Sequence, residues 1–140
     1  MNNEQRIKTN KIAIDEDDVK LFFNNRVNKN LPYLINYTNY QDKHPELALE
    51  RDKYEKDRIM PFLNLQPESR ILDIGCGVGR WGNHILKILS NQGMYVGADY
   101  SGNILNLAKN HFRENKNFYF CESSFQDILL NLPGNIKQNN

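Results

Sequence analysis

A chain of 140 residues suits one domain with an ordinary core, and its 18 lysines and arginines nearly balance 17 aspartates and glutamates, for a net charge of +1. No global field draws such a chain toward nucleic acid or an anionic membrane, so neither is expected as a partner. Residues 1–6 are polar, lead into no apolar run, and are followed by no membrane-length apolar stretch, so neither a signal peptide nor a membrane span is expected.

In chain order, residues 1–15 are polar and expected to fray. From 17 to about 28, Val19, Phe22, Phe23 and Val27 recur at spacings of three and four, which predicts a short amphipathic helix. Pro32 ends it or follows its end. The aromatic, Asn-rich stretch 32–40 has no clean period and is expected to be a loop or irregular turn. A long helix is predicted from Pro45 to about Met60. Proline in its first turn costs no hydrogen bond, Glu46 and Glu50 suit its positive end, and Pro61 closes it or lies in its last turn.

After Pro67 the period changes. Residues 70–74 form an apolar run that ends in a glycine cluster, which predicts a strand buried on both faces. Trp81, Ile85, Ile88 and Leu89 predict a helix ending near 91–93, with Gly93 as its left-handed cap. Residues 94–98 predict a second strand, and Ser101 suits the N-cap of a helix carrying Ile104, Leu105, Leu107, Ala108 and Phe112. Residues 118–121 predict a third strand. This alternation predicts an α/β fold: a Rossmann-like parallel sheet with right-handed crossovers and flanking helices, preceded by a helical segment.

Cys76 and Cys121 form no CxxC pair, and His44, His84 and His111 show no ligand spacing. Reduced thiols in a cytoplasmic protein are therefore expected, and a metal site is not. The informative segment is 71–80, Ile-Leu-Asp-Ile-Gly-Cys-Gly-Val-Gly-Arg. A strand runs into Gly75, Gly77 and Gly79, and a helix begins at once. Glycines there permit positive φ and close approach of a ligand to the backbone. Asp99 follows Gly79 at the end of the second strand, where a carboxylate can accept hydrogen bonds from ribose hydroxyls. A dinucleotide fold requires G-x-G-x-x-G, but the residue three after Gly77 is Arg80, and Asp73 stands two residues before the first glycine. A P-loop is excluded because no Gly-Lys-Ser/Thr follows.

The D-x-G-x-G-x-G pattern at 73–79 resembles motif I of class I S-adenosylmethionine-dependent methyltransferases, and Gly-Ala-Asp-Tyr-Ser at 97–101 resembles the second-strand motif of that family. The resemblance implies S-adenosyl-L-methionine as cofactor. It implies that Gly75 and Gly77 let the backbone meet the methionine part, that Cys76 and Gly79 belong to the same cofactor-binding loop, and that Asp73 helps hold the loop and the cofactor amino group. Asp99 then takes the ribose hydroxyls, and Tyr100 lies against adenine. Where the family often carries Gly-Asp-Ala after the third strand, this chain has Glu122-Ser123-Ser124-Phe125, leaving Ser123 and the Ser124 backbone N–H to meet the ring. Cys76 is expected to pack rather than react, and Trp81 to serve the core.

The resemblance covers three strands of a seven-strand family fold. It implies a cap segment over 1–66, a cofactor-binding half-domain over 67–130 and a polar tail over 131–140. Without a fourth strand, 71–74 would form an open apolar edge, where self-association is expected. The implied function is methyl transfer to a small-molecule acceptor by a truncated or partial chain, with direct displacement at the sulfonium methyl and no assignable general base. A fainter similarity of 36–54 to bacterial enzymes points toward a sugar or surface-polysaccharide precursor. Tyr33, Tyr37, Tyr40, Arg51 and Tyr54 are candidates for the acceptor side, with Arg51 able to clamp a carboxylate; packing of the outer helices is their alternative role. The competing readings are a non-catalytic S-adenosylmethionine-binding module that needs a partner and, opposed by the glycine spacing, a nucleotide-binding oxidoreductase.

Overall fold

The computed structural model describes residues 15–39, 42–132 and 134–137; the expected fraying of residues 1–14, and Tyr40, lie outside them. The first helix, α1 (Glu16–Arg26), starts at Asp15, whose carboxylate accepts the backbone N–H groups of Asp17 and Asp18 at 2.9 and 3.3 Å. Glu16, Asp17 and Asp18 then face the positive end of the helix. Its apolar pattern is only partly buried, since Val19 and Phe22 stay exposed while Arg26 is 3% exposed. A single 3-10 turn (Leu34–Tyr37) occupies the aperiodic stretch. The second helix, α2 (Glu46–Leu63), carries the i,i+4 pairs Arg51–Glu55, Asp52–Lys56 and Lys53–Asp57 at 2.6–2.7 Å. It passes through Pro61 and ends at Asn64, which takes the left-handed conformation at φ 46°. So near the C-terminus, proline removes one hydrogen bond without breaking the helix.

The sheet has three parallel strands in the order β1 (Arg70–Ile74), β2 (Met94–Asp99) and β3 (Phe118–Glu122), with Ile71 opposite Tyr95 and Tyr95 opposite Phe118. The crossovers carry α3 (Gly82–Ile85) and α4 (Gly102–His111). Ser101 caps α4 as predicted, its Oγ accepting the Ile104 N–H at 3.3 Å. The predicted helix over 81–91 is reduced to one turn, and Gly93 is not left-handed. Both differences have a tertiary cause. The Ser90 N–H and hydroxyl both donate to the Pro67 carbonyl, at 2.8 and 3.1 Å, and pull the chain off the helix axis. Gly93 is required by crowding, because a Cβ there would stand 2.5 Å from the same carbonyl oxygen.

On one face of the sheet, Ile85, Tyr95, Phe112 and Phe118 form a core with Ile71, Trp81 and Phe120 packed against it. Tyr95 stacks on Phe118 at 4.8 Å between ring centroids, and Phe112 stacks on Phe118 at 5.1 Å. The other face buries Val96, Ala98 and Cys121 beneath Ile128 and Ile136, carried by α5 (Ile128–Asn131) and α6 (Gly134–Lys137). That cover stops short of β1. Leu72 and Ile74 remain 43% and 46% exposed, so among the described residues β1 is an edge strand buried on one face only, not on both as its apolar run predicts.

The glycine loop is fixed by this packing. Gly79, at φ 79°, lies against the Phe112 ring, so an added methyl group would collide with the core; Gly75, at φ 73°, faces open space. Gly75→Ala should therefore cost only the left-handed penalty of about 1–2 kcal/mol. Gly79→Ala should cost clearly more, and urea unfolding of the two variants reads the difference.

Candidate functional site

β1 ends in a loop whose three glycines all have positive φ, 73° at Gly75, 55° at Gly77 and 79° at Gly79. The N–H groups of Gly75 and Cys76 both donate to the Ala98 carbonyl, at 2.8 and 3.0 Å, which folds the loop back over β2. Asp99 then fixes its crest. One carboxylate oxygen accepts the Gly77 N–H at 2.8 Å, and the other accepts the Ser101 N–H at 2.9 Å. A single side chain thus ties the loop after β1 to the start of α4. Below it, the Tyr95 hydroxyl donates to Asp73 at 2.6 Å. Burial holds the Asp73 carboxyl above its usual range, with the Tyr95 bond opposing the shift. Burial also pushes the Cys76 thiol up, which keeps it protonated and suits packing rather than nucleophilic work.

Asp73, Gly75, Cys76 and Asp99 floor a cavity of about 420 Å³. Phe23, Thr38 and Asn39 roof it, and Arg80 and Trp81 close one side. The roof hangs on Arg26. Its guanidinium donates to the carbonyls of Asn36 (2.5 Å) and Tyr37 (2.9 Å) and pairs with Asp42 at 2.6 Å. Asn36 is itself fully buried and donates to the Pro45 carbonyl at 3.1 Å. Thr38 comes down so closely that a Cβ on Gly77 would lie 2.6 Å from its methyl group.

Tyr100 and Ser124 lie outside that cavity, in a second one of about 250 Å³ shared with Val19 and Phe125. α1 spans the strand ends here. Lys20 pairs with Glu122 at 2.7 Å and sits 4.5 Å above the Tyr100 ring. Ser123 turns inward, its hydroxyl donating to the Ser124 carbonyl at 2.8 Å and accepting from Asn131 at 3.1 Å. The Ser124 hydroxyl pairs with Asp127 at 2.9 Å. Gly77, Gly79 and Ser123 therefore shape the walls without lining either cavity.

The candidates in the N-terminal third disperse. Tyr33 lines a separate cleft of about 640 Å³ between α2 and the segment around α3, and the Tyr37 hydroxyl donates to the Lys29 carbonyl at 3.0 Å. Tyr54 is exposed with Arg58 3.9 Å from its ring centroid. Arg51 is bound to Glu55 on the exposed surface of α2 and lines neither cavity of the loop. The arginine that reaches the glycine loop is Arg80. Sequence reasoning missed it, together with Thr38, Asn39 and Arg26. Arg80 had a signal in its place directly after the third glycine. Thr38 and Asn39 lie in an aperiodic stretch and Arg26 at the end of α1, and none of them had one.

Two cations beside Asp42, Arg26 first and Lys29 second, hold its carboxyl down at about 2. An unfolded aspartate titrates near ~3.9. The Arg26–Asp42 contribution is therefore complete above that value and lost as pH falls through about 2. Acid titration should loosen the roof in this window, and Asp42→Asn should remove that part of the pH dependence, as read by tryptophan fluorescence of Trp81.

A family model described as a methyltransferase domain matches residues 65–135, half of the chain, from before β1 into α6. Among curated proteins, the demethylmenaquinone methyltransferase of Staphylococcus saprophyticus is 26% identical over 87 residues, covering 62% of this chain and 36% of that protein. The enzyme of the same name from Bacillus cereus strain B4264 is 32% identical over 63 residues, 45% of this chain and 27% of that protein. The chain spans about a third of the length of the first curated relatives it matches. Among solved structures, Haemonchus contortus phosphoethanolamine N-methyltransferase 1, in complex with phosphoethanolamine and S-adenosylhomocysteine, superposes with a TM-score of 0.58 at 16% identity. That match covers 77% of this chain and 21% of the other, and it shows the shared fold. On the matched span, the parallel sheet and the glycine loop, the chain belongs to the methyltransferase-domain family of class I S-adenosylmethionine-dependent enzymes.

Proposed function

We propose that this chain binds S-adenosyl-L-methionine across the two cavities that flank Asp99 and forms the cofactor-binding half of an enzyme that methylates a small molecule. One observation carries the reading. Asp99 stands at the end of β2 and lines the glycine-loop cavity beside the half-buried Asp73 carboxyl, and the next residue, Tyr100, lines the second, aromatic cavity. Each oxygen of Asp99 already accepts one backbone N–H and retains capacity for another donor, as two ribose hydroxyls require. The glycine-loop cavity suits the methionine end, with Asp73 toward its amino group. The Tyr100 and Phe125 cavity suits adenine, with Ser124 at its rim. The inward bonds of Ser123 leave the backbone of 124 as the better partner for the ring.

When bound, the cofactor supplies an electrophilic sulfonium methyl. The residues here position it and shield it from water, and such positioning is a large share of the acceleration in displacement chemistry. No described residue is assigned as general base. A small acceptor, the class that includes sugar and surface-polysaccharide precursors, fits the enclosed roof and the near-zero net charge better than nucleic acid. Residues 1–66 serve as the cap and 67–130 as the half-domain that carries the loop. The two free, buried cysteines suit a cytoplasmic setting, and no described helix is long and apolar enough to cross a membrane. The exposed edge of β1 supports self-association through Leu72 and Ile74.

Isothermal titration with S-adenosylmethionine, S-adenosylhomocysteine and NAD should show binding of the first two, and tighter binding of NAD would overturn the reading. Replacing Asp99 removes the acceptor of two backbone N–H groups, so Asp99→Ala should lower the melting temperature as well as the affinity. Asp73→Asn separates the two effects. Its amide oxygen still accepts from Tyr95, and the cost of a buried charge disappears, a cost that grows as pH rises through the elevated carboxyl pKa. Thermal melts at pH 7 should show stability kept or raised while titration shows S-adenosylmethionine binding weakened by about tenfold.

A further inference from the structure

Of the side chains around the glycine-loop cavity, Arg80 is held in the most elaborate way. Its backbone carbonyl accepts the ammonium of Lys56 at 2.7 Å, and Lys56 is 6% exposed on α2. Its Nη1 pairs with Glu55 at 2.6 Å and with Asp52 at 3.2 Å, one turn apart on the same helix. Its guanidinium carbon stands 4.9 Å from the centroid of the Trp81 ring. Both of its hydrogen bonds among the described residues go through Nη1. The Nε and Nη2 donors thus remain available on a side chain that is 20% exposed and lines the cavity.

The two α2 carboxylates do not cancel the three cations they bridge. Arg51, Lys56 and Arg80 are bridged by Asp52 and Glu55 alone, which leaves one positive charge in excess. Asp73, the carboxyl proposed for the amino group, lines the same cavity and lies close enough for the Arg80 charge to act on it. An amino-acid end carries an ammonium and a carboxylate on one carbon, so it needs an anion and a cation side by side. Those two residues supply them.

We infer that Arg80 binds the carboxylate of the cofactor's amino-acid end, and that α2, through Asp52, Glu55 and Lys56, positions it. This rests on the S-adenosylmethionine reading and adds a residue to it. It makes α2 part of the cofactor site although none of its side chains lines the cavity. A guanidinium suits the task because its planar donors match a carboxylate, whereas an ammonium offers only a point charge.

The test compares S-adenosylmethionine with decarboxylated S-adenosylmethionine, which keeps the amine and sulfonium and lacks only the carboxylate. Titration on the full chain gives the affinity ratio of the two, and the wild type should prefer the carboxylate form by about tenfold or more. In Arg80→Ala the ratio should collapse toward one, and in Arg80→Lys it should fall part of the way. Glu55→Gln should lower it less than Arg80→Ala. A general loosening of the loop would weaken both ligands alike and leave the ratio intact. A wild-type preference that persists in Arg80→Ala overturns the assignment, and an unchanged ratio in Glu55→Gln overturns the positioning by α2. A wild-type chain that binds neither ligand overturns the cofactor reading and this one together.

Discussion

The two backbone N–H groups held by Asp99 are the constraint on which the site depends. A loop of three left-handed glycines has little reason of its own to adopt one shape, because glycine pays the largest conformational entropy on ordering. A carboxylate that accepts from Gly77 on one side and Ser101 on the other converts that freedom into a fixed bridge between β1, β2 and α4. The bonds are charge-assisted and only partly screened, the kind worth about 1.5–3 kcal/mol each. The same carboxylate lines the glycine-loop cavity, so under the proposed reading structural and binding roles share one group. Its replacement cannot be read as a binding defect alone.

Above this bridge the roof follows a different logic. The segment around the 3-10 turn buries Ile35, and its polar backbone needs partners as well. Arg26 supplies them by spending one buried guanidinium on the carbonyls of Asn36 and Tyr37 and on Asp42. A buried arginine is unfavourable unless each donor is satisfied, and here the carbonyls do so. The outcome is an enclosure made from polar chain, with Thr38 pressed onto Gly77.

The parts of the fold that were legible in the sequence are those set by local period and local capping. β1 follows from its short apolar run into the glycines, α1 from apolar residues spaced three and four apart, and the start of α4 from the Ser101 hydroxyl. The illegible parts depend on contacts distant in sequence. The helix after the glycine loop shortens because Ser90 bonds to Pro67, and Gly93 serves a close approach to that carbonyl rather than a cap. β1 carries the apolar run of a central strand while standing at the edge, since register and neighbours are not written in one strand's composition. The site divides in the same way. Asp73, Asp99 and the glycines announce themselves by spacing, whereas Arg26, Thr38 and Arg80 acquire their places only when the N-terminal helices fold down.

The roof also bears on the order of assembly during synthesis. Strand partners such as Arg70 and Met94 lie only 24 residues apart, and translation at ~5–20 residues per second separates their emergence by a few seconds. Loops of roughly this size close far faster, so the sheet can add each strand as it leaves the ribosome. α1 emerges before any of them, yet its anchors are late. Asn24 accepts from the Ser101 hydroxyl at 2.7 Å and from the Asn103 N–H at 3.3 Å. The first helix among the described residues is therefore among the last to dock, and Phe23 must wait in solvent, or on a chaperone, until α4 exists to receive it.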